Sequence, residues 1–163
     1  MGSGKTTIGQ RLARKLQLEF LDCDHELEEQ TGASVNLIFD VEGEEGFRKR
    51  ETRMLRKLTG RKGVLVATGG GAVLRAENRK LLSGGLVVYL KTSVRQQIAR
   101  LRRDRSRPLL QTPDREEKLA RLAEERDPLY EALADIVFPA QDRSPEAVAR
   151  ELSEVVRTHL GFS

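Results

Sequence analysis

The sequence opens with a glycine-rich stretch that ends in a lysine and two threonines. Within it, Gly4-Lys5-Thr6 matches the end of the phosphate-binding pattern G-x-x-x-x-G-K-[ST]. In that pattern, backbone N–H groups surround phosphate oxygens, the lysine reaches the β- and γ-phosphates, and the hydroxyl binds magnesium. Ile8, Leu12 and Leu16 follow at helical spacing, as the pattern requires. We therefore expect ATP and Mg2+ to bind at Gly2, Ser3, Gly4, Lys5, Thr6 and Thr7.

The phosphate pattern is incomplete at its start. Its first glycine would lie two positions before Met1, and no strand leads into the loop. Such a strand is normally buried in the sheet, so its loss would leave its neighbours without partners. We expect the native chain to begin earlier, with Met1 as an internal residue of the loop.

Two carboxylates flank Cys23 at the end of a short predicted strand, residues 19–22. Side chains two apart in a strand point the same way, so Asp22 and Asp24 are expected to face one site. Asp22 could hold the magnesium shell, and Asp24 could take the proton from an attacking hydroxyl. The alternative is a pair of turn or helix-capping aspartates. Cys23 is expected to pack in the core.

Predicted strands alternate with predicted helices along the whole chain. The strands are 19–22, 64–67, 86–90 and 136–138, and the second and third are continuous apolar runs, typical of strands buried on both faces. We predict helices at 26–30, 34–40, 44–58, 75–82, 94–103 and 116–126, with an interruption at Pro128, and a last helix capped by Ser144. The pattern predicts a doubly wound parallel α/β sheet in three layers, α/β/α.

Composition narrows the class of protein. The 163 residues suit one domain, 1–163, and no apolar run could cross a bilayer. A net charge of +4 without tryptophan suits an anionic small molecule better than nucleic acid or a membrane. The single cysteine cannot form an internal disulfide, which favours the cytoplasm. His25 and His159 lack partners at metal-ligand spacing.

Six segments, in order and spread over nearly the whole chain, resemble the shikimate kinase family. They are Gly-Ser-Gly-Lys-Thr at 2–6, Asp-x-Asp at 22–24, Gly-Glu-Glu-Gly-Phe-Arg at 43–48, Thr-Gly-Gly-Gly at 68–71, Arg-Pro-Leu-Leu at 107–110 and Arg-Asp-Pro-Leu-Tyr at 126–130. The resemblance implies a P-loop kinase fold with a five-stranded parallel sheet. It also implies transfer of the ATP γ-phosphoryl group to the 3-hydroxyl of shikimate, on the way to chorismate and the aromatic amino acids.

The resemblance also implies a role for each motif. Arg48 and Arg126 would bind the substrate carboxylate, with Glu51 steadying Arg48, because arginine binds carboxylates bidentately. Further substrate contacts would come from Asp24 and from the backbone of Gly69, Gly70 and Gly71, with Gly70 making the closest approach. Arg107 would close onto the phosphates from a lid, about 104–115, over a substrate region of about 24–51. The adenine contacts would be Arg100 and Arg143. The family is usually monomeric.

Other functions remain open at this point. A gluconate kinase would also bind a carboxylate and hydroxyls, whereas a nucleoside monophosphate kinase would need aromatic base contacts that are not evident. A nucleotide-binding module without catalysis is a further alternative. Nucleic-acid binding is supported only by the arginines between Arg95 and Arg107.

Overall fold

Short parallel strands form the centre of the fold in the computed structural model, which describes residues 5–92, 114–140 and 143–161. Strand β1 (Glu19–Asp22) pairs with β2 (Val64–Ala67), and β3 (Val88–Lys91) pairs with β4 (Ile136–Pro139). Asp22 lies opposite Ala67, so the carboxyl ends of β1 and β2 are adjacent. The residues that follow these two strands therefore emerge side by side.

Helices connect and cover the strands. They are α1 (Lys5–Leu16), α2 (Cys23–Thr31), α3 (Val35–Thr59), α4 (Ala76–Leu82), α5 (Arg115–Leu133) and α6 (Pro145–His159), and a 3-10 helix covers Gly70–Leu74. Ser144 caps α6 by accepting from the Ala147 N–H, and Pro145 stands at the first turn, as predicted. No helix in the described ranges is long and apolar enough to cross a membrane.

Two apolar clusters hold these elements together. The first joins β1, α2 and α3 through residues such as Leu21, Leu27 and Leu55. The second joins α1, β4 and α6 through residues such as Ile8 and Leu152. Each buried leucine or isoleucine contributes roughly 1.5–3 kcal/mol, so the clusters hold α1 and α2 against the strands. Lys5 of α1 and the first turn of α2 both lie beside Asp22, the last residue of β1.

The parallel α/β class predicted from the sequence is confirmed. The resemblance implies five strands in one sheet, whereas the described residues contain four strands in two pairs that share no ladder hydrogen bond. The predicted helix 94–103 and most of the predicted lid lie outside the described residues.

The predicted interruption of a helix at Pro128 is wrong. Helix α5 continues from Arg115 to Leu133. A proline inside a helix typically costs about 3 kcal/mol because it removes a hydrogen bond and crowds the preceding turn. Here Pro128 is exposed, and the turn after it is held by a hydrogen bond from Tyr130 to Gly70. The helix therefore persists past the proline.

A glycine divides the long helix α3. The sequence predicts two helices, 34–40 and 44–58, and the structure joins them through Gly43, which has φ 74° and ψ 177°. Residues with a side chain rarely adopt this conformation. The bend at Gly43 sets the direction of the second segment, which carries Phe47 and Arg48.

We expect Gly43→Ala to lower the free energy of unfolding by about 1–3 kcal/mol, because alanine is strained at this φ and ψ. The matched control is Gly85→Ala, since Gly85 also faces open space but has no left-handed φ. Urea denaturation of both variants measures the difference. An equal effect of the two substitutions would show that the bend does not require glycine.

Candidate active site

The first turn of α1 forms one end of the site. The Lys5 amino group lies 3.7 Å from Asp22 Oδ2, and the Thr6 hydroxyl donates to the same oxygen at 3.3 Å. Lys5 Nζ is shielded from solvent and makes no hydrogen bond within the described residues. Because the first N–H groups of a helix lack intrahelical partners, this end of α1 also favours an anion. A cation, a hydroxyl and a carboxylate therefore meet at a helix N-terminus.

Asp22 uses its two oxygens differently. Its Oδ1 accepts from the backbone N–H groups of Asp24 and His25, at 3.0 and 3.2 Å, and so caps α2. Its Oδ2 faces Lys5 and Thr6. The capping interpretation is thus confirmed for one oxygen, while the other faces the first turn of α1 at Lys5 and Thr6, the end predicted to bind phosphate and called the phosphate end below.

Strand β1 has the bounds predicted for it, but the strand alternation used to relate Asp22 to Asp24 does not extend to Asp24. Strand β1 ends at Asp22, and the cap begins α2 at Cys23, so Asp24 lies in the first helical turn. The Cys23 side chain is fully buried, as predicted, and burial raises the pKa of its thiol. Cys23 is therefore a protonated packing residue between two carboxylates.

A buried ion pair forms the other end of the site. Arg48 Nη1 donates to Glu51 Oε1 at 2.9 Å, one helical turn apart on α3. Glu51 is 0% exposed and the Arg48 side chain is 11% exposed, so a surface role for Arg48 is excluded. Burial raises the pKa of Glu51, and the Arg48 guanidinium opposes that rise. Arg48 Nε and Glu51 Oε2 make no hydrogen bond within the described residues.

The triple glycine turn lies against this ion pair. A Cβ placed on Gly69 would approach Asp24 Oδ1 to 3.4 Å and Glu51 Oε2 to 3.5 Å. A Cβ on Gly71 would overlap the Arg48 guanidinium, so the close contact that requires glycine occurs at Gly71. The substrate contact expected of Gly70 stays a prediction.

Helix α5 adds a second arginine. Arg126 is only 3% exposed; burial raises the pKa of Tyr130, and the nearby Arg126 guanidinium opposes that rise. The Tyr130 hydroxyl donates to the Gly70 carbonyl at 2.6 Å. Arg48 donates to Glu51, a Cβ on Gly69 would contact both Asp24 and Glu51, and the Arg126 guanidinium lowers the pKa of Glu51 against its burial, so these three predicted substrate residues lie near one carboxylate.

Three residues that hold the glycine turn and the 3-10 helix after it by hydrogen bonds were not predicted as part of the site. Besides Tyr130, the amide of Asn78 donates to the Ala72 carbonyl at 3.0 Å, and Arg79 Nη1 donates to the Val73 carbonyl at 2.6 Å. Tyr130 could have been found from its position four residues after Arg126 on one helix face. The expected interruption at Pro128 hid that spacing.

Only some of the residues predicted to bind the nucleotide lie within the described ranges. Thr7 is exposed in the first turn of α1. Arg143 follows β4, where it pairs with Glu151 and its guanidinium carbon lies 5.3 Å from the centre of the Phe138 ring. The remaining predicted nucleotide and lid residues lie outside the described residues: Gly2, Ser3, Gly4, Arg100 and Arg107.

The oxygens at the phosphate end fit magnesium. Mg2+ prefers oxygen ligands and keeps several positions for water and phosphate. The Thr6 hydroxyl and Asp22 Oδ2, 3.3 Å apart, offer two oxygens of the preferred kind. Within residues 5–92, 114–140 and 143–161, no group of three or more His, Cys, Asp or Glu side chains could hold a metal ion unaided. Thr6 and Asp22 are therefore the residues of this end that could serve as ligands of Mg2+.

Comparisons with known proteins agree with this arrangement. A family model described as shikimate kinase matches residues 1–157. A shikimate kinase of Vibrio cholerae is 50% identical over 161 residues, which cover 98% of this chain and 92% of the relative. Another from Vibrio parahaemolyticus is 52% identical over 157 residues, covering 96% of this chain and 91% of the relative.

Solved structures give the same result. Shikimate kinase from Acinetobacter baumannii in complex with shikimate is similar with a TM-score of 0.95 at 46% identity, covering 98% of this chain and 89% of that one. The enzyme from Bacteroides thetaiotaomicron has a TM-score of 0.86 at 34% identity, covering 96% and 94%. Together with the phosphate end and the buried arginines, these similarities show that the chain belongs to the shikimate kinase family.

Proposed function

We propose that this chain transfers the γ-phosphoryl group of ATP to the 3-hydroxyl of shikimate, giving shikimate 3-phosphate and ADP. This reaction serves the synthesis of chorismate and the aromatic amino acids. The observation that carries the proposal is the convergence of two buried arginines, Arg48 and Arg126, on Glu51 and Asp24 beside the glycine turn. A small acid with hydroxyl groups complements that set of charges.

The two arginines would bind the carboxylate of the acid. Arg48 uses Nη1 for Glu51 and its Nη2 lies 3.6 Å from Glu44 Oε1, while its Nε makes no hydrogen bond within the described residues and could donate to a ligand. Arg126 is buried, so its interaction with an anion would be little screened by water. Two guanidinium groups that converge in this way can hold a carboxylate through several charge-assisted hydrogen bonds. The backbone of Gly69, Gly70 and Gly71 would line the same pocket.

Asp24 would act on the attacking hydroxyl. Its carboxylate lies beside Gly69 and near Glu51, two residues after the Asp22 carboxylate that faces Lys5. In the proposed step the 3-hydroxyl oxygen forms a bond to the γ-phosphorus, and the bond between that phosphorus and the β,γ-bridging oxygen breaks. The hydroxyl proton passes to Asp24, and ADP leaves with the bridging oxygen.

The phosphate end would hold the nucleotide. Lys5 would bind the β- and γ-phosphates in place of its present neighbour Asp22, because its amino group is shielded and makes no hydrogen bond of its own. Thr6 and Asp22 would hold Mg2+, which supplies charge neutralisation of the phosphates when bound. Roles for Gly2, Ser3, Gly4, Arg100 and Arg107 rest on the family resemblance, with Thr7 and Arg143 as further nucleotide contacts. A lid at about 104–115 would exclude water from the reaction.

We also propose that residues 1–163 act as one domain, a cytoplasmic monomer, with the acid bound by the region of about 24–51. Support for the compartment comes from the single cysteine, which is buried and free. Support for one domain comes from the packing of α1 near the N-terminus against α6 near the C-terminus, where Arg11 pairs with Glu146 at 2.6 Å.

The first experiment measures ADP release from ATP and Mg2+ with shikimate as acceptor, alongside gluconate and a blank without acceptor. We expect release that depends on shikimate, because the pocket presents two arginines to one carboxylate. Release with gluconate alone would favour the gluconate kinase alternative. Nucleotide binding without ADP release in the presence of either acceptor would favour a nucleotide-binding module that does not catalyse transfer.

We expect Asp24→Asn to lower kcat for shikimate by about 10²- to 10⁴-fold, the usual contribution of a general base. The affinity for ATP should stay within about twofold, because Asp24 belongs to the acid end. The matched control is Asp40→Asn, the same change at an exposed position of α3. Steady-state kinetics and ATP titration measure the two effects. Parallel loss of ATP affinity would place Asp24 at the nucleotide instead.

We expect Arg126→Lys to raise the KM for shikimate by about 10- to 100-fold, because lysine cannot replace a bidentate guanidinium. The KM for ATP should change far less. Arg121→Lys serves as the control, since Arg121 lies on the same helix but is largely exposed. An unchanged KM for shikimate in the Arg126 variant would remove this residue from the carboxylate site.

A further inference from the structure

We propose that Tyr130 is a positioning residue for the acid site: its hydroxyl fixes the peptide between Gly70 and Gly71 and joins the glycine turn to α5, the helix that also carries Arg126. The inference rests on the proposed function, because it assigns this unit to the binding of the acid. Tyr130 itself need not touch the substrate.

One hydrogen bond carries the proposal. The Tyr130 hydroxyl donates to the Gly70 carbonyl at 2.6 Å. A carbonyl only accepts, so the Tyr130 O–H is the donor and its proton points towards Gly70. The Arg126 guanidinium, one helical turn before Tyr130, lies close enough to oppose the rise in the Tyr130 pKa that burial causes.

The carbonyl that accepts this hydrogen bond belongs to a peptide group that would otherwise be free to rotate. The Gly70 carbonyl and the Gly71 N–H belong to the same planar unit, so holding the carbonyl also sets the opposite direction of the N–H. Glycines on both sides leave this plane more freedom to rotate than other residues would. The hydrogen bond from Tyr130 removes that freedom at the start of the 3-10 helix.

Tyr130 is itself firmly placed. Its ring packs against Tyr89 with centroids 5.0 Å apart and an interplanar angle of 40°. The Tyr89 hydroxyl donates to Asp127 Oδ1 at 3.3 Å, on the same helix as Tyr130. Burial raises the pKa of Tyr130, against the opposing effect of Arg126, so the hydroxyl keeps the proton that it donates.

The neighbouring carbonyls show what Tyr130 adds. Asn78 and Arg79 hold the Ala72 and Val73 carbonyls, but both lie on α4, the next element along the chain. Tyr130 acts across 60 residues, from the helix that carries a substrate arginine. Of these three contacts, this one relates the glycine turn to α5 rather than to its local surroundings.

The test compares Tyr130→Phe with Tyr89→Phe, each of which removes one hydroxyl from the same ring pair. Tyr130→Phe should raise the KM for shikimate about fivefold, the usual effect of one hydrogen bond, with kcat and the KM for ATP within about twofold. Tyr89→Phe should leave the KM for shikimate within about twofold. An unchanged KM for shikimate in Tyr130→Phe, or an equal rise in both variants, would overturn the proposal.

A second measurement does not depend on activity. Hydrogen exchange of the amides of residues 70–74 should become about fivefold faster in Tyr130→Phe and stay unchanged in Tyr89→Phe. Unchanged exchange in the Tyr130 variant would overturn the positioning role even if its KM rose. If the unmodified chain released no ADP with shikimate, the proposed function would fail, while the exchange result would still decide whether Tyr130 holds the turn.

Discussion

The rest of the site depends on a carboxylate that has no contact with solvent. Glu51 is completely buried, and a charge in that position persists only if other charges and hydrogen bonds compensate it. Arg48 supplies the direct ion pair, and Arg126 acts on Glu51 from another helix. Removing one partner from such a buried pair typically costs about 3–5 kcal/mol, so the arrangement constrains both arginines. The same low-polarity surroundings that make a buried charge on Glu51 unfavourable would strengthen the attraction of the arginines for the proposed acid.

Only a short stretch of chain, from Asp22 to Asp24, connects the two ends of the site. Asp22 closes a strand, faces the phosphate end and caps the next helix, and Asp24 follows in the first turn of that helix. In the proposed assignment, one capped turn rather than two flexible loops would set the separation between nucleotide and acid. Because the cap uses backbone N–H groups that would otherwise lack partners, the geometry is stabilised by the folding of the helix itself.

Sequence reasoning predicted what depends on local pattern and missed what depends on tertiary contact. The phosphate motif, the parallel strands and the spacing of Arg48 and Glu51 are all readable within one element or one motif. The continuation of α5 past Pro128 is not, because it is held by the contact of Tyr130 with a turn 60 residues away. Asp24 shows a third case: residues near an element boundary can fit strand alternation and helix capping equally well, and here the cap formed by Asp22 places Asp24 in the helix.

Cys23 gives the protein a built-in reporter of that turn. It is the only cysteine in the chain, it is fully buried, and its thiol is held in the protonated, unreactive form. An alkylating reagent can therefore reach it only when the segment between the two carboxylates opens. The rate of thiol labelling would report how often this segment opens, without any introduced probe. A bound ligand that keeps Asp22 and Asp24 in place would slow the labelling.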